Sequence, residues 1–285
     1  AVDLDETDAI TLTDVDTNDG SITVDAGGLI TATDVVASGG SGDSVTLSTT
    51  TGGAVATLVT GADAVSITAN AGDITIGSVT ATAGTLGVTA TAGSINDAAD
   101  DNTADFTAGG LITLTAQDEI GVLGSGSDLD LEFAAGSSVN VSTTGTGAID
   151  LDGLGALTLS DVDTVNGAIT ASSAGALTVT DVASGTNGNI VLSTSSGDIT
   201  GLATVNAGSG NVTLNSAGAI VDDGSSGTVI TGGVLTADAA GAITIDSTVT
   251  SANISTSAAG AVDLDETDAI TLTDVDTNDG SITVD

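Results

Sequence analysis

The sequence lacks every cationic side chain and almost every aromatic one. It contains no Lys, Arg, His, Cys, Met, Pro, Trp or Tyr, and its only aromatic residues are Phe106 and Phe133. Without His or Cys there is no imidazole base, no thiol nucleophile and no ligand set for zinc or haem. Without Lys or Arg there is no phosphate clamp and no basic surface for nucleic acid. We therefore expect neither an enzyme nor a nucleic-acid-binding protein.

Two further absences bear on the compartment. No apolar run approaches the ~20 residues that a membrane-spanning helix needs, so we expect no membrane insertion. No signal peptide is visible, as expected for an internal fragment of a longer chain. Small, sulfur-free side chains with little nitrogen suit a protein that is made in bulk and lost outside the cell. We therefore expect an extracellular or cell-surface location.

The residues that are present combine strong acidity with enough apolar surface for a core. The 285-residue chain has 39 Asp and Glu and a formal net charge of −39. High net charge with low hydrophobicity would indicate disorder, but 40% of the residues are hydrophobic and the mean hydropathy is +0.40. With so few aromatics, the core must consist of Ala, Val, Ile and Leu in thin layers.

The apolar residues alternate with Thr, Ser and Asp in short runs, which is the period-2 pattern of β-strands. Gly, Asn, Asp and Ser between the runs supply turns. In the second half of the chain the strands are expected to begin at Ile149, Leu157, Ile169, Leu177, Ile190, Ile199, Val212 and Ile220, so that short and long gaps alternate. Every second strand thus recurs at a nearly constant interval, roughly 20–22 residues, which lies at the short end of solenoid periods. The sequence therefore predicts an all-β parallel β-helix (β-solenoid) with triangular coils.

A long-range repeat indicates how the chain is organised. Residues 1–25, AVDLDETDAITLTDVDTNDGSITVD, recur without a change as residues 261–285. Self-similarity at a fixed period is typical of solenoids and arrays. We therefore expect residues 1–260 to be one complete solenoid repeat and residues 261–285 to be the start of the next, with no linker between them. A repeat of this length predicts 12 or 13 coils and a length of roughly 60 Å.

Two segments carry a resemblance to a known family. GSITVDAGGLITATDV (20–35) and GAITASSAGALTVTDV (167–182) resemble the haemagglutinin-type β-helical repeats of large secreted bacterial adhesins. The resemblance implies a right-handed parallel β-helix, secretion, and an adhesive or scaffolding role. The chain departs from that family in lacking every cation and nearly every aromatic residue, which weakens the expectation of direct receptor binding.

One acidic turn is a candidate calcium site. The segment from Asp14 to Gly20, with the order D-V-D-T-N-D-G, resembles the start of a calcium loop, where oxygen ligands at alternate positions suit a hard cation. The alternative is a solvated acidic turn, and it stays open because Gly is one place late for an EF-hand and no helices flank the segment. The candidate ligands of the two copies are Asp14, Asp16, Asn18, Asp19, Asp274, Asp276, Asn278 and Asp279. No cofactor is required, and Ca²⁺ is the one candidate ion.

Other clusters support further hypotheses. Acidic residues gather at Asp97, Asp100, Asp101 and Asp105. Thr-x-Thr pairs resemble the ice-binding faces of some β-solenoids, although Thr is also a favourable outward residue on any strand. The pairs are Thr11/Thr13, Thr31/Thr33, Thr80/Thr82, Thr89/Thr91, Thr113/Thr115 and Thr178/Thr180.

These observations predict a structural protein that forms an extracellular fibre or surface filament from tandem solenoid repeats. Its expected partners are adjacent repeats end to end, neighbouring fibres side by side, and divalent cations that screen its charge. Two alternatives stay open: a spacer stalk of a cell-surface adhesin, and an ice-binding β-solenoid.

Overall fold

A computed structural model describes residues 1–99, 101–124, 128–134, 136–225, 227 and 229–285. The chain divides into two compact units, Ala1–Leu151 and Asp152–Asp285. Every regular element in the described ranges is a β-strand, and none of these residues form a helix that is long and apolar enough to cross a membrane. The predicted all-β class is therefore confirmed.

The described residues of the first unit form eighteen strands, and a nineteenth strand includes the sequence boundary between the units. They are β1 (Val2–Glu6), β2 (Ile10–Leu12), β3 (Val15–Thr17), β4 (Ile22–Ala26), β5 (Ile30–Ala32), β6 (Val35–Ala37), β7 (Val45–Thr49), β8 (Ala54–Ala56), β9 (Val59–Gly61), β10 (Val65–Ala69), β11 (Ile74–Ile76), β12 (Val79–Ala81), β13 (Leu86–Ala90), β14 (Ile95–Asp97), β15 (Phe106–Ala108), β16 (Ile112–Ala116), β17 (Leu129–Phe133), β18 (Val139–Thr143) and β19 (Ile149–Gly153).

Within this unit, each strand pairs in parallel with the equivalent strand of the next coil. The first ladder is β1-β4-β7-β10-β13-β16-β18. The second is β2-β5-β8-β11-β14, and the third is β3-β6-β9-β12-β15-β17. Val2 pairs with Ile22, and Val45 pairs with Val65, so each pair joins positions that are one turn apart. Three parallel ladders around one core define a triangular β-solenoid.

The described residues of the second unit form fourteen strands. They are β20 (Leu157–Thr164), β21 (Ile169–Ser173), β22 (Leu177–Val179), β23 (Asp181–Ala183), β24 (Ile190–Thr194), β25 (Ile199–Leu202), β26 (Thr204–Asn206), β27 (Val212–Ser216), β28 (Ile220–Asp222), β29 (Ile230–Ala239), β30 (Ile243–Thr256), β31 (Val262–Glu266), β32 (Thr271–Thr277) and β33 (Ile282–Val284).

Parallel ladders also build this second unit. One runs through β21, β24, β27, β29, β30 and β32, and another through β22, β25, β28, β30, β31 and β33. The two units together contain about 13 parallel coils of about 21 residues per turn. All eight predicted strand starts, from Ile149 to Ile220, are the first residues of strands. The alternating spacing therefore identified the coil correctly, whereas the long strands β29 and β30 were not predicted.

The core consists of the inward-facing alternate residues of each strand. Six of the aliphatic residues that the period-2 alternation places inside illustrate this, because none has exposed surface: Ile22, Val24, Leu177, Val179, Leu192 and Leu214. Their outward neighbours Thr23, Thr178 and Thr213 are half-buried, because strands ~4.8 Å away on either side cover part of each side chain. The strand register expected from the period-2 pattern is thus confirmed.

Hydroxyl groups stabilise the corners. At several inward positions that are Thr or Ser, the side chain donates a hydrogen bond to a carbonyl in the following turn. Thr194 Oγ1 donates to the carbonyl of Gly197 at 3.0 Å, and Ser184 Oγ donates to that of Gly188 at 2.6 Å. The corner backbone would otherwise leave buried acceptors without partners, which is costly.

Asp and Asn side chains then connect one corner to the corner of the next coil. Asp198 Oδ1 accepts a hydrogen bond from the backbone N–H of Ala219 at 2.7 Å, and Asn189 Oδ1 accepts one from Asn211 at 2.9 Å. Each of these contacts joins residues that are one coil apart in the sequence. The acidic and amide residues of the turns are therefore part of the stacking.

Close stacking also explains why Gly is frequent at corners. Gly185 has a φ of +67°, and a Cβ at this position would collide with the carbonyl oxygen of Val165 in the preceding coil. Only Gly combines this backbone conformation with such a close approach.

Candidate functional site

The first ladder carries a row of hydroxyl groups on its outer face. In the five-residue strands the fourth residue points outward, and the parallel register places these residues directly above one another. The row consists of Ser48, Thr68, Thr89, Thr115 and Ser142. Thr115 and Ser142 are within hydrogen-bond reach of each other at 3.4 Å. This face can offer hydroxyls at the ~4.8 Å strand spacing over five coils.

The Thr-x-Thr pairs identified in the sequence contribute less to this face than expected. Only Thr113 and Thr115 lie together within one strand, β16. In the other five pairs the second Thr follows the end of its strand and lies in a bend or turn. The observed row mixes Ser and Thr from successive coils, and the sequence did not predict it because stacking partners lie a whole coil apart in the chain.

Acidic side chains stack in the same way as the hydroxyls. Asp5 pairs with Asp25 on adjacent strands, and Asp246 pairs with Asp265. Partial desolvation and the neighbouring charges of Asp246, Asp263 and Asp285 raise the pKa of Asp265 above its usual range. No cationic side chain relieves this repulsion, because the sequence has neither Lys, Arg nor His.

A groove in the second unit gathers several of these carboxylates. It has a volume of about 500 Å³ and is lined by Gly227, Asp246, Asp265, Glu266, Thr267 and Asp285. Desolvation, followed by the charges of neighbouring carboxylates, also raises the pKa of nearby Asp222. The carboxylates of the groove attract cations electrostatically. An anion would be repelled, since the described lining offers it no hydrogen-bond donors other than backbone N–H groups and the Thr267 hydroxyl.

A second group of acidic residues lies around the segment from Asp161 to Gly167, whose order D-V-D-T-V-N-G is similar to that of the predicted calcium turn. Asp161 and Asp181 precede the paired residues Val162 and Val182. Desolvation, a hydrogen bond with Asp161 and the charges of Asp161 and Asp181 raise the pKa of Asp163 to about 6. Burial and the neighbouring carboxylates thus favour the protonated form of Asp163 more than they would in an ordinary exposed Asp.

The candidate calcium ligands are placed on the surface. All eight residues are exposed: Asp14, Asp16, Asn18, Asp19, Asp274, Asp276, Asn278 and Asp279. Among the described residues, no three of the six aspartates bring carboxylate oxygens within 4.8 Å of one another. Asp16 stacks on Val36 and Asp276 on Ser255, so neither has a carboxylate as its ladder partner there. The calcium site stays a prediction to be tested in solution.

One acidic cluster reaches the interior. Asp101 is exposed and bonds to Thr103, and Asp100 lies outside the described residues. Asp105, in contrast, is only 3% exposed, and the neighbouring Asp97 carboxyl contributes to raising its pKa. The sequence contained a signal for this, because Asp97 stands where the alternation of β14 requires an aliphatic residue.

Comparisons with known proteins do not assign a family. No protein-family model, no curated protein and no solved structure matches the chain. The β-solenoid fold therefore rests on the strand pairing itself, and the adhesin-type repeat remains a resemblance.

Proposed function

We propose that this chain is the structural unit of an extracellular or cell-surface fibre built from tandem β-solenoid repeats. Its partners are adjacent repeats end to end, neighbouring fibres side by side, and divalent cations that screen the carboxylates. It has no catalytic role and requires no cofactor. The resemblance to the repeats of secreted adhesins supports the location, and the parallel coils support the mechanical role.

The observation that carries this proposal is the difference in burial between the two copies of the duplicated segment, residues 1–25 and 261–285. Val2–Glu6 and Val262–Glu266 are the same strand in the two copies. Val262 is 1% exposed because β30 covers it, whereas Val2 is half-buried. Further along the segment the first copy is the more buried one, since Leu12 is 3% exposed and the equivalent Leu272 is 43% exposed. The same residues therefore accept a coil on either side, as a tandem array requires.

The mechanical argument follows from the ladders. Each coil forms backbone hydrogen bonds with the coil before and after it, and aliphatic side chains stack along the inside. Stability in such arrays comes from nearest-neighbour interfaces, so it accumulates with length. The net charge keeps neighbouring fibres apart at low salt, and at higher ionic strength screening acts over about 10 Å or less.

Arrays of defined length test the proposal. Three chains would be imaged by electron microscopy. They contain one, two or three tandem copies of residues 1–260, and each chain ends with one further copy of residues 1–25. We expect the length to increase by roughly 60 Å per added unit at constant width, because each unit adds 12 or 13 coils at ~4.8 Å.

A matched control inserts a flexible Gly/Ser linker after residue 260 of each unit, before the next copy begins. We expect these chains to show separate bodies at variable distances. Arrays with the native sequence that also show separate bodies, or a length that does not grow with copy number, would contradict the proposal.

The spacer stalk of a cell-surface adhesin is the alternative within the same class. A fibre unit should associate side by side when its charge is screened, whereas a stalk should stay single. Light scattering by the three-unit array, from low salt to high NaCl and with added CaCl₂, separates the two.

Ice binding is a second candidate, and the outer row from Ser48 to Ser142 is the observation that favours it. A thermal-hysteresis measurement on the chain and on a Thr68→Lys, Thr89→Lys variant tests it. Activity that the double substitution abolishes would support this function. Lack of hysteresis in the unmodified chain would rule it out.

A further inference from the structure

Asp97 occupies a position that belongs to the core. Its strand, β14, pairs in parallel with β11, and the register places Asp97 beside Ile76. Ile76 has no exposed surface, and its other partner on the same ladder is the buried residue Ala56. A carboxyl group therefore replaces an aliphatic side chain at the inner end of this strand.

Asp105 is fixed beside it from both neighbouring coils. Its carbonyl accepts a hydrogen bond from Val79 N–H at 2.7 Å, and its own N–H donates to the carbonyl of Asp130 at 3.0 Å. Its Oδ2 accepts a further bond from the N–H of Asp130 at 2.9 Å. The next residue, Phe106, is the largest of the fully buried side chains. The backbone of Asp105 is thus held by two coils, and movement of its carboxyl to solvent would break the bond with the N–H of Asp130.

The two carboxyl groups meet without a donor between them. Asp97 Oδ1 accepts a bond from Ala99 N–H at 2.8 Å, while Asp97 Oδ2 is buried and receives no hydrogen bond from a described protein donor. Two ionised carboxylates offer only acceptors, and they repel each other in a site of low dielectric. One proton between them turns the repulsion into a hydrogen bond and satisfies the buried oxygen.

The negative charges around Asp105 also favour its protonated form, because they raise its pKa. Burial raises the pKa of Asp105 to about 8, opposed by the bond from Asp130 N–H and reinforced by the Asp97 carboxyl and by the charge of Asp130. Asp97 on β14 and Asp130 on β17 face Asp105 from the neighbouring strands, whereas β12 contributes only residues that do not titrate. The chain has no basic side chain to compensate.

We propose that Asp97 and Asp105 share one proton, that this proton fastens the corner between β14 and β15 to the core, and that its loss loosens the coil. The pair is then a pH-sensitive latch within the first unit. Folded Asp105 keeps a proton between about pH 4 and pH 8 that the unfolded chain has lost. Stability therefore falls as the pH rises through this range and levels off above it.

Carboxyl-selective NMR titration and denaturation at several pH values test the latch. We expect the Asp105 carboxyl to titrate near pH 8, and the unfolding equilibrium constant to rise by up to roughly 100-fold between pH 6 and pH 9. Asp105→Asn imitates the protonated state, because its amide can accept from Asp130 N–H and donate to Asp97 Oδ2. This variant should lose most of that pH dependence and exceed the wild type in stability at pH 9.

Asp101→Asn is the matched control, since Asp101 is an exposed acid of the same segment, and it should keep the wild-type profile. Asp97→Asn provides a second variant if Asp105→Asn does not fold: its amide can donate to the Asp105 carboxylate and should lower the pKa of Asp105. A wild-type Asp105 carboxyl that titrates near pH 4, or an Asp105→Asn profile parallel to that of the wild type, would overturn the proposal.

Discussion

Ile22 and Ile282 occupy the same position in two identical segments of the chain, but Ile22 is fully buried and Ile282 is 46% exposed. Ile22 pairs with Val2 on one side and with Val45 on the other, whereas the described partner of Ile282 is Val262. The difference in burial therefore comes from the neighbouring coils and not from the local sequence. It also means that the cost of a substitution depends on where in the solenoid it is made.

The first prediction concerns the core. Leu192→Asp should destabilise the chain by several kcal/mol, because it places an unpaired charge between Ala171 and Leu214, its buried ladder partners. Val191→Asp, one residue away on the outward side, is the matched control and should cost less than about 1 kcal/mol. Urea denaturation of both variants measures the difference. Equal losses would mean that the strand register is wrong.

The second prediction concerns the corner hydroxyls. Thr194 Oγ1 donates to the Gly197 carbonyl and accepts from the N–H of Ala217 at 3.1 Å in the next coil. Thr194→Val should cost about 1–3 kcal/mol, since it leaves the Ala217 N–H without its acceptor and removes one of the two hydroxyl donors to the Gly197 carbonyl. The control Thr213→Val changes an outward side chain on the neighbouring strand and should be nearly neutral. Thermal unfolding that does not distinguish the two would remove the corner role of Thr194.

A third prediction separates charge from hydrogen bonding in the acidic corners. Asp198→Ala should lose about 1 kcal/mol or more, because the N–H of Ala219 loses its acceptor. Asp198→Asn keeps an acceptor oxygen and should recover most of the stability. If instead the Asn and Ala variants are equally destabilised, the carboxylate charge matters more than the bond. Denaturation at constant ionic strength provides the comparison.

The fourth prediction addresses calcium. Because the six candidate aspartates are exposed and do not converge, we expect calcium binding to be shallow, multivalent and suppressed by monovalent salt. Calorimetric unfolding and light scattering would be recorded with CaCl₂ and then with excess chelator at fixed ionic strength. A saturable isotherm with a sharp rise in melting temperature would instead show a defined site.

Substitution of the same aspartates by Asn completes that experiment. Changing Asp14, Asp16 and Asp19 together should reduce binding no more than changing three other exposed acids, for example Asp3, Asp5 and Asp8. A selective loss with the first set would locate the site in the predicted turn, as oxygen ligands in that order would allow.

The sequence by itself determined the coil. The period-2 alternation fixes which side chains point inward, so Leu177 and Leu192 were placed correctly in the core. The alternation of short and long gaps fixed the strand starts, and the spacing of equivalent strands fixed a turn of about 21 residues. These properties are local, because each depends on residues within one coil.

Only the tertiary structure decided which residues of neighbouring coils lie beside each other. The length of a turn varies, so Val88 pairs with Ile67 at one step and with the more distant Leu114 at the next. A pattern in the sequence cannot fix such a variable offset, and the Ser and Thr row on the outer face was therefore not predicted. Asp97 and Asp105 likewise were known only as members of an acidic cluster.

The burial of these two carboxyl groups depends on the register of β14 with β11 and on the contacts of Asp105 with two other coils. The backbone of one strand decides whether a side chain points inward or outward. The coils that cover the strand decide the burial, the stacking and the proton sharing of that side chain.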